Sequence, residues 1–196
     1  QQADSWLGAF HDLEIEHHGF YELRAGFRTQ NDKYQKDMSV METRLQTELS
    51  RYFDWGDVRF KGDLVGDMVT EEFYYDVREA YIFTRPGQWG DLWVGRQILT
   101  WGTGDLIFIN DMFPKDWQSF FIGRDSEYLK APSDAAKLSL FGDLANIDIV
   151  FTPQFDSDRF ISGERISYYS GILGRKAGRD DEVTTEKPDR WFRDYE

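Results

Sequence analysis

The residues best placed to do chemistry lie in one segment. Between Trp101 and Asp134 the chain carries Asp105, Asn110, Asp111, Asp116 and Asp125 amid Trp101, Trp117, Phe120, Phe121 and Tyr128, with Arg124 among them. Carboxylates, an amide and a guanidinium can hydrogen-bond a polar solute, and aromatic faces give it platforms to lie on. The chemistry on offer is recognition rather than bond-making. The plainer reading of the same residues is a structural loop sealed by its own aromatics, with Pro114 and the glycines setting its turns. Oxygen ligands here could hold Ca²⁺, but their spacing does not follow the EF-hand loop, so no metal is assigned.

Other chemistry finds little support. His11, His17 and His18 lie near the start, but a zinc site asks for three or four ligands at recognisable spacing. His17 and His18 are adjacent and would point to opposite faces of a strand. A glycosidase could use two of the 36 acidic residues, yet no pair stands out among so many. There is no cysteine, hence no disulfide framework or thiolate nucleophile. Neither a Gly-x-Ser-x-Gly elbow nor a phosphate-binding glycine loop occurs. The sequence therefore predicts no catalytic residue, no cofactor and no enzyme.

A net charge of −13 and a pI near 4.7 make nucleic acid a poor partner, because phosphate asks for a basic surface. Mean hydropathy is −0.62, and no stretch approaches the roughly 20 apolar residues of a membrane helix. Barrel strands escape that test, since their apolar signal is hidden in alternation. An aromatic content of 17% suits the girdles of such a barrel, and equally a sugar-binding sandwich. The opening Gln1-Gln2-Ala3-Asp4 has neither a basic nor an apolar leader region, which favours a processed or cut start.

The elements that must position these residues announce themselves by period-two alternation. From Phe20 to Thr29, Tyr21, Leu23, Ala25 and Phe27 oppose Glu22, Arg24, Gly26 and Arg28. From Met41 to Leu49, Met41, Thr43, Leu45, Thr47 and Leu49 oppose Glu42, Arg44, Gln46 and Glu48. A third run sets Val58, Phe60, Gly62, Leu64, Gly66 and Met68 against Arg59, Lys61, Asp63 and Asp67, with Val65 the exception. Runs of about ten residues match tilted membrane strands of about 9–11 rather than soluble strands of about 5–6. Their charged faces would suit a watery lumen and not a sandwich core.

Later strands are predicted over Tyr74–Phe83, Asp91–Thr100, Lys137–Phe141 and Asn146–Pro153. In the first, Tyr75, Val77, Tyr81 and Phe83 are taken to share a face, with Glu79 breaking it, which suggests a bulge; Arg96 breaks the second. Connections alternate between tight ones, at 54–57, 85–87 and 142–143, and longer ones, with 101–134 the longest; the short connection between the third and fourth strands breaks the rule. Residues 1–19 read as a periplasmic lead-in and 154–196 as a long polar loop or truncated end. Seven or so strands cannot close a lumen, so further strands are expected after Glu196.

The stretch Val94-Gly95-Arg96-Gln97, then Thr100-Trp101-Gly102-Thr103-Gly104-Asp105, then Asn110-Asp111-Met112-Phe113-Pro114-Lys115-Asp116 resembles the alginate-export-type barrels and a related barrel family of proteobacterial outer membranes. Arg78-Glu79-Ala80-Tyr81 resembles the strand before it. The resemblance implies an even-numbered barrel of sixteen or eighteen strands that passes a polar or hydrophobic solute. One departure is plain: the lumen-type face mixes Arg24, Arg28, Arg44, Arg59, Lys61, Arg78 and Arg96 with Glu22, Glu42, Asp63 and other acids, which is no cationic lane for a polyuronate.

The expectation is therefore all-β: the first seven to eight strands of an antiparallel outer-membrane barrel. Those charged residues would line its lumen. Trp101, Asp105, Asn110, Asp111, Asp116, Trp117 and Arg124 would stand in an infolded constriction loop. Partners would be outer-membrane lipid, lipopolysaccharide and the transported solute. The rival is a secreted, soluble β-sandwich that binds or cleaves polysaccharide.

Overall fold

A computed structural model describes residues 14–100 and 112–181. Seven strands form one antiparallel sheet in chain order: β1 (Glu16–Phe27), β2 (Met38–Phe53), β3 (Gly56–Asp67), β4 (Glu72–Gly87), β5 (Gly90–Gln97), β6 (Ser133–Phe141) and β7 (Asn146–Phe151). β1 and β7 are its edges, and they do not pair with each other among the described residues. The strands are longer than the alternation alone marked: β2 and β4 each run 16 residues. β5 and β7 are the exceptions, stopping at Gln97 short of Thr100 and at Phe151 short of Pro153. A small hairpin, β8 (Tyr168–Ser170) with β9 (Arg175–Ala177), lies in a region read from sequence as loop alone.

Register fixes the faces, because directly opposite residues share one. Leu45 stands between Tyr21 and Leu64, and Arg44 between Glu22 and Val65. One face thus collects Leu23, Phe27, Leu45, Leu64, Phe73, Ile82, Val94, Ile147, Ile149 and Phe151, all exposed. The other collects Glu42, Arg44, Gln46, Lys61, Asp63, Asp67 and Arg78, all buried. Val65, the exception in its run, falls on the charged face and is buried there. This inverts the usual distribution, in which charged groups are almost never fully buried unless paired.

The register slips once inside β3–β4, where Lys61 pairs with Glu79 and Gly62 with Val77, leaving Arg78 as the extra residue. That bulge corrects the sequence reading. Tyr75 and Val77 do share the apolar face, but beyond Arg78 the parity flips. Ala80 and Ile82 turn outward, while Tyr81, opposite Arg59, and Phe83, opposite Asp57, turn to the charged face. On the apolar face Tyr75 lies across Gly62 and leaves no room there for a side chain, covering a gap in the strand.

Loop lengths divide the two ends imperfectly, since the connection 68–71 is no longer than 142–145 at the opposite end. At one rim the connections are residues 54–55, 88–89 and 142–145; at the other they are 28–37, 68–71 and 98–132. β1 enters from the short-turn rim, since Glu16 pairs with Ser50 near the end of β2. Aromatic residues mark that rim: Phe53 stacks on Trp55 at 5.0 Å, Arg51 lies 4.7 Å over Phe53, and Trp89 is exposed in its turn.

Candidate functional site

The charged face is covered by the chain's own loop. Helix α1 (Trp117–Phe121) and a 3₁₀ turn (Ser126–Leu129) are held together by main-chain bonds. Asp116 N–H donates to Leu129 O at 2.9 Å, and Ala131 N–H to Pro114 O at 3.0 Å. Asp116 caps α1 by accepting from Ser119 N–H at 2.8 Å, which satisfies one of the donors a helix start leaves open. The segment Lys115–Asp116 bridges Lys130 on one side and Arg159 on the other, and Asp158 accepts from Lys115 N–H and Trp117 Nε1, both at 2.9 Å.

Four anchors tie this unit to the sheet. Arg124 makes a two-nitrogen ion pair with Glu42, with Nε at 3.3 Å from Oε1 and Nη2 on Oε2, and its Nη1 donates to Ser119 Oγ at 3.1 Å. Burial works against the Arg124 charge, but the Glu42 hydrogen bond overrides it and raises the pKa. Tyr128 is wedged between two guanidiniums, with Arg44 at 4.2 Å and Arg78 at 4.8 Å from its ring centre. Its hydroxyl accepts from Gln46 Nε2 at 2.5 Å, and burial, then the charge of Asp63, pushes its pKa up. Arg78, the bulge residue, donates to the carbonyls of Lys130 at 2.8 Å and Glu127 at 3.1 Å. Arg159 grips Asp76 through both terminal nitrogens, at 2.7 and 2.8 Å.

Ion pairs continue around this cluster. Lys61 meets Glu127 at 3.0 Å, Arg165 pairs with Asp67, and Arg24 meets Glu22 at 2.7 Å while donating to Gly123 O at 2.8 Å. Arg44, itself 1% exposed, contacts Glu42 at 2.5 Å and Glu22 at 3.6 Å. Such pairs, desolvated together, give little net stability, but removing one partner strands a buried charge. Arg44 Nε and Nη1, Arg78 Nη1 and Asp63 Oδ1 are buried with no hydrogen-bond partner among the described residues. This is the arrangement of a charge-paired polar interior and not of an apolar core.

Of the residues predicted to line a lumen, Glu22, Arg24, Glu42, Arg44, Arg59, Lys61, Asp63 and Arg78 are brought together on this face. Arg28, beyond the end of β1, reaches the carbonyls of Lys36 and Arg165. Arg96 stands elsewhere: it is opposite Ala80 and Asp134, on the parity of Val94, and meets Asp134 at 3.3 Å. Asp116, Trp117 and Arg124 sit in the covering loop as described; Trp101, Asp105, Asn110 and Asp111 lie outside the described residues. Sequence reasoning missed Arg159, Arg165 and Asp158, which sit in a stretch without alternation. No group of three or more metal-ligating side chains occurs among the described residues.

No protein-family model, curated protein or solved structure matches the chain.

Proposed function

We propose that this sheet is part of the wall of an outer-membrane β-barrel, and that the protein passes a solute through a charged lumen narrowed by the loop from Pro114 to Ala131. One observation carries the reading: among the described residues the apolar face is bare, while the charged face is filled by the chain's own loop. Lipid is the medium that accepts the first, and a water-filled interior accepts the second. Strand length, the short-turn and long-loop rims, and Phe53, Trp55 and Trp89 at the short-turn rim agree with that placement. Such a barrel needs strands beyond these seven.

Transport here is diffusion along hydrogen-bonding walls, with no covalent step. Membership of the alginate-export-type family belongs to the same proposal. A soluble sandwich would need a second sheet over the apolar face and would still leave the loop-covered charged face as its exterior. The full-length protein, purified in detergent and added to a planar lipid bilayer, should open discrete ion-conducting channels. A protein that stays monodisperse without detergent and never conducts contradicts the proposal.

A further inference from the structure

The inward face is charged wherever the loop covers it, and it changes character toward the short-turn rim. One row of directly paired residues crosses the sheet there: Tyr52 faces Asp57, Asp57 faces Phe83, Phe83 faces Trp93, and Trp93 faces Lys137. In the next row Ser50 faces Arg59 and Arg59 faces Tyr81. The Phe83 and Trp93 rings lie 5.0 Å apart, inclined at 41°. A concavity of about 230 Å³ opens among Tyr52, Asp57, Arg59, Tyr81, Phe83 and Trp93. Four aromatic rings on the polar side of a sheet are out of place as membrane anchors, because an outward girdle would need the opposite parity.

We propose that this row binds a neutral polyhydroxylated ring, the pyranose units of an oligosaccharide, on its way through the lumen. The inference rests on the lumen reading above and deepens it. The C–H face of a pyranose is flat and apolar and can lie on Trp93, Phe83 or Tyr52, while its rim of hydroxyls meets Asp57, Ser50 and the tyrosine hydroxyls. A few polar groups fixing orientation within an apolar lining is the usual make-up of a small-molecule site.

The charges argue against an anionic solute. Arg59 is matched by Glu48 at 2.8 Å and Glu79 at 2.9 Å. Lys137 lies 5.2 Å over the Trp93 ring and 4.0 Å from Asp148. With Arg59 shared between two carboxylates and Lys137 set beside Asp148, neither cation is left over to hold a polyuronate, and Asp57 remains as an acceptor for sugar hydroxyls. Adjacent strands stand about 4.8 Å apart, so neighbouring members of the row can engage successive parts of one chain.

The test uses the full-length protein in planar bilayers with maltohexaose and cellohexaose as probes and benzoate as a charged aromatic control. The expected result is transient block of the open channel by at least one hexasaccharide and none by benzoate. F83A/W93A should weaken that block about tenfold, a loss of about 1.4 kcal/mol, with open-channel conductance kept. Should that pair fail to insert, Y52A at the exposed rim should weaken block by a smaller factor. Channels that open normally but ignore both sugars, that respond to benzoate instead, or that are blocked equally in the aromatic variants overturn the sugar lane and leave the pore standing. Absence of any channel counts against the pore itself.

Discussion

Arg44 and Leu45 are neighbours in sequence with opposite fates: the arginine is 1% exposed and the leucine 48%. The same contrast repeats at Asp63 against Leu64, at 2% and 36%. In a protein folded for water the apolar partner would be hidden, since burying it gains about 25 cal/mol per Å² and burying a charge costs several kcal/mol. The two faces of this sheet are thus built by opposite rules, and the proposed lipid and lumen are the media that would suit them. Among the described residues nothing covers the apolar face, whereas the charged face is covered by the chain's own loop.

The contrast can be broken most forcefully from the charged side. E42A leaves Arg44 and Arg124 buried without their shared carboxylate, and should cost about 3–5 kcal/mol, read as a lowered urea midpoint for the protein refolded in lipid vesicles. A change within error would mean that the Glu42 cluster is wet and open. On the apolar side, L45R should cost about 2–4 kcal/mol in the same assay, and arginine at an open inward position, Y52R, which faces Asp57, should cost less. Equal costs at the two positions would erase the distinction between the faces.

A third intervention sharpens the account of the loop. Deleting Asp116 to Ser126 removes α1 and Arg124, so single-channel conductance of the full-length protein should rise while insertion is retained. Unchanged conductance would show that the loop seals the wall without narrowing the path. The smallest effect belongs to Y128F, which keeps the ring between Arg44 and Arg78 but loses the hydroxyl that accepts from Gln46. About 0.5–1.5 kcal/mol is expected from one hydrogen bond. Y128A should cost clearly more, because it also removes the ring; similar losses in the two variants would mean that the stacked ring contributes nothing.

Sequence made the two faces of β1, β2 and β3 legible because most positions there obey one local rule, hydrophobic outward and charged inward; Val65, Phe20, Val40 and Tyr52, which turn inward, and Arg51, which turns outward, depart from it. The bulge was half legible: Glu79 breaks the alternation and signals an irregularity, but nothing local says that Arg78 is the extra residue, and so Tyr81 and Phe83 are assigned to the wrong face. The loop's anchors divide in the same way. That Arg124 pairs with a carboxylate of the wall follows from its setting in an aromatic loop, and the partner is Glu42. Arg159 and Arg165 find Asp76 and Asp67 across 83 and 98 residues of chain, contacts that no periodicity encodes.

The most direct test exploits the absence of cysteine, which lets single cysteines be placed along β2 from Met41 to Ser50 in an otherwise unreactive chain. Each would carry a nitroxide label in reconstituted vesicles, with collisions measured against oxygen, which concentrates in lipid, and against a water-soluble nickel chelate. The account predicts a period-two pattern. Labels at Met41, Thr43, Leu45, Thr47 and Leu49 should favour oxygen, and labels at Glu42, Arg44, Gln46, Glu48 and Ser50 should lack that preference. Labels at the first set that respond to neither agent, as beneath a second sheet, or chiefly to the nickel chelate, would contradict a lipid-facing wall.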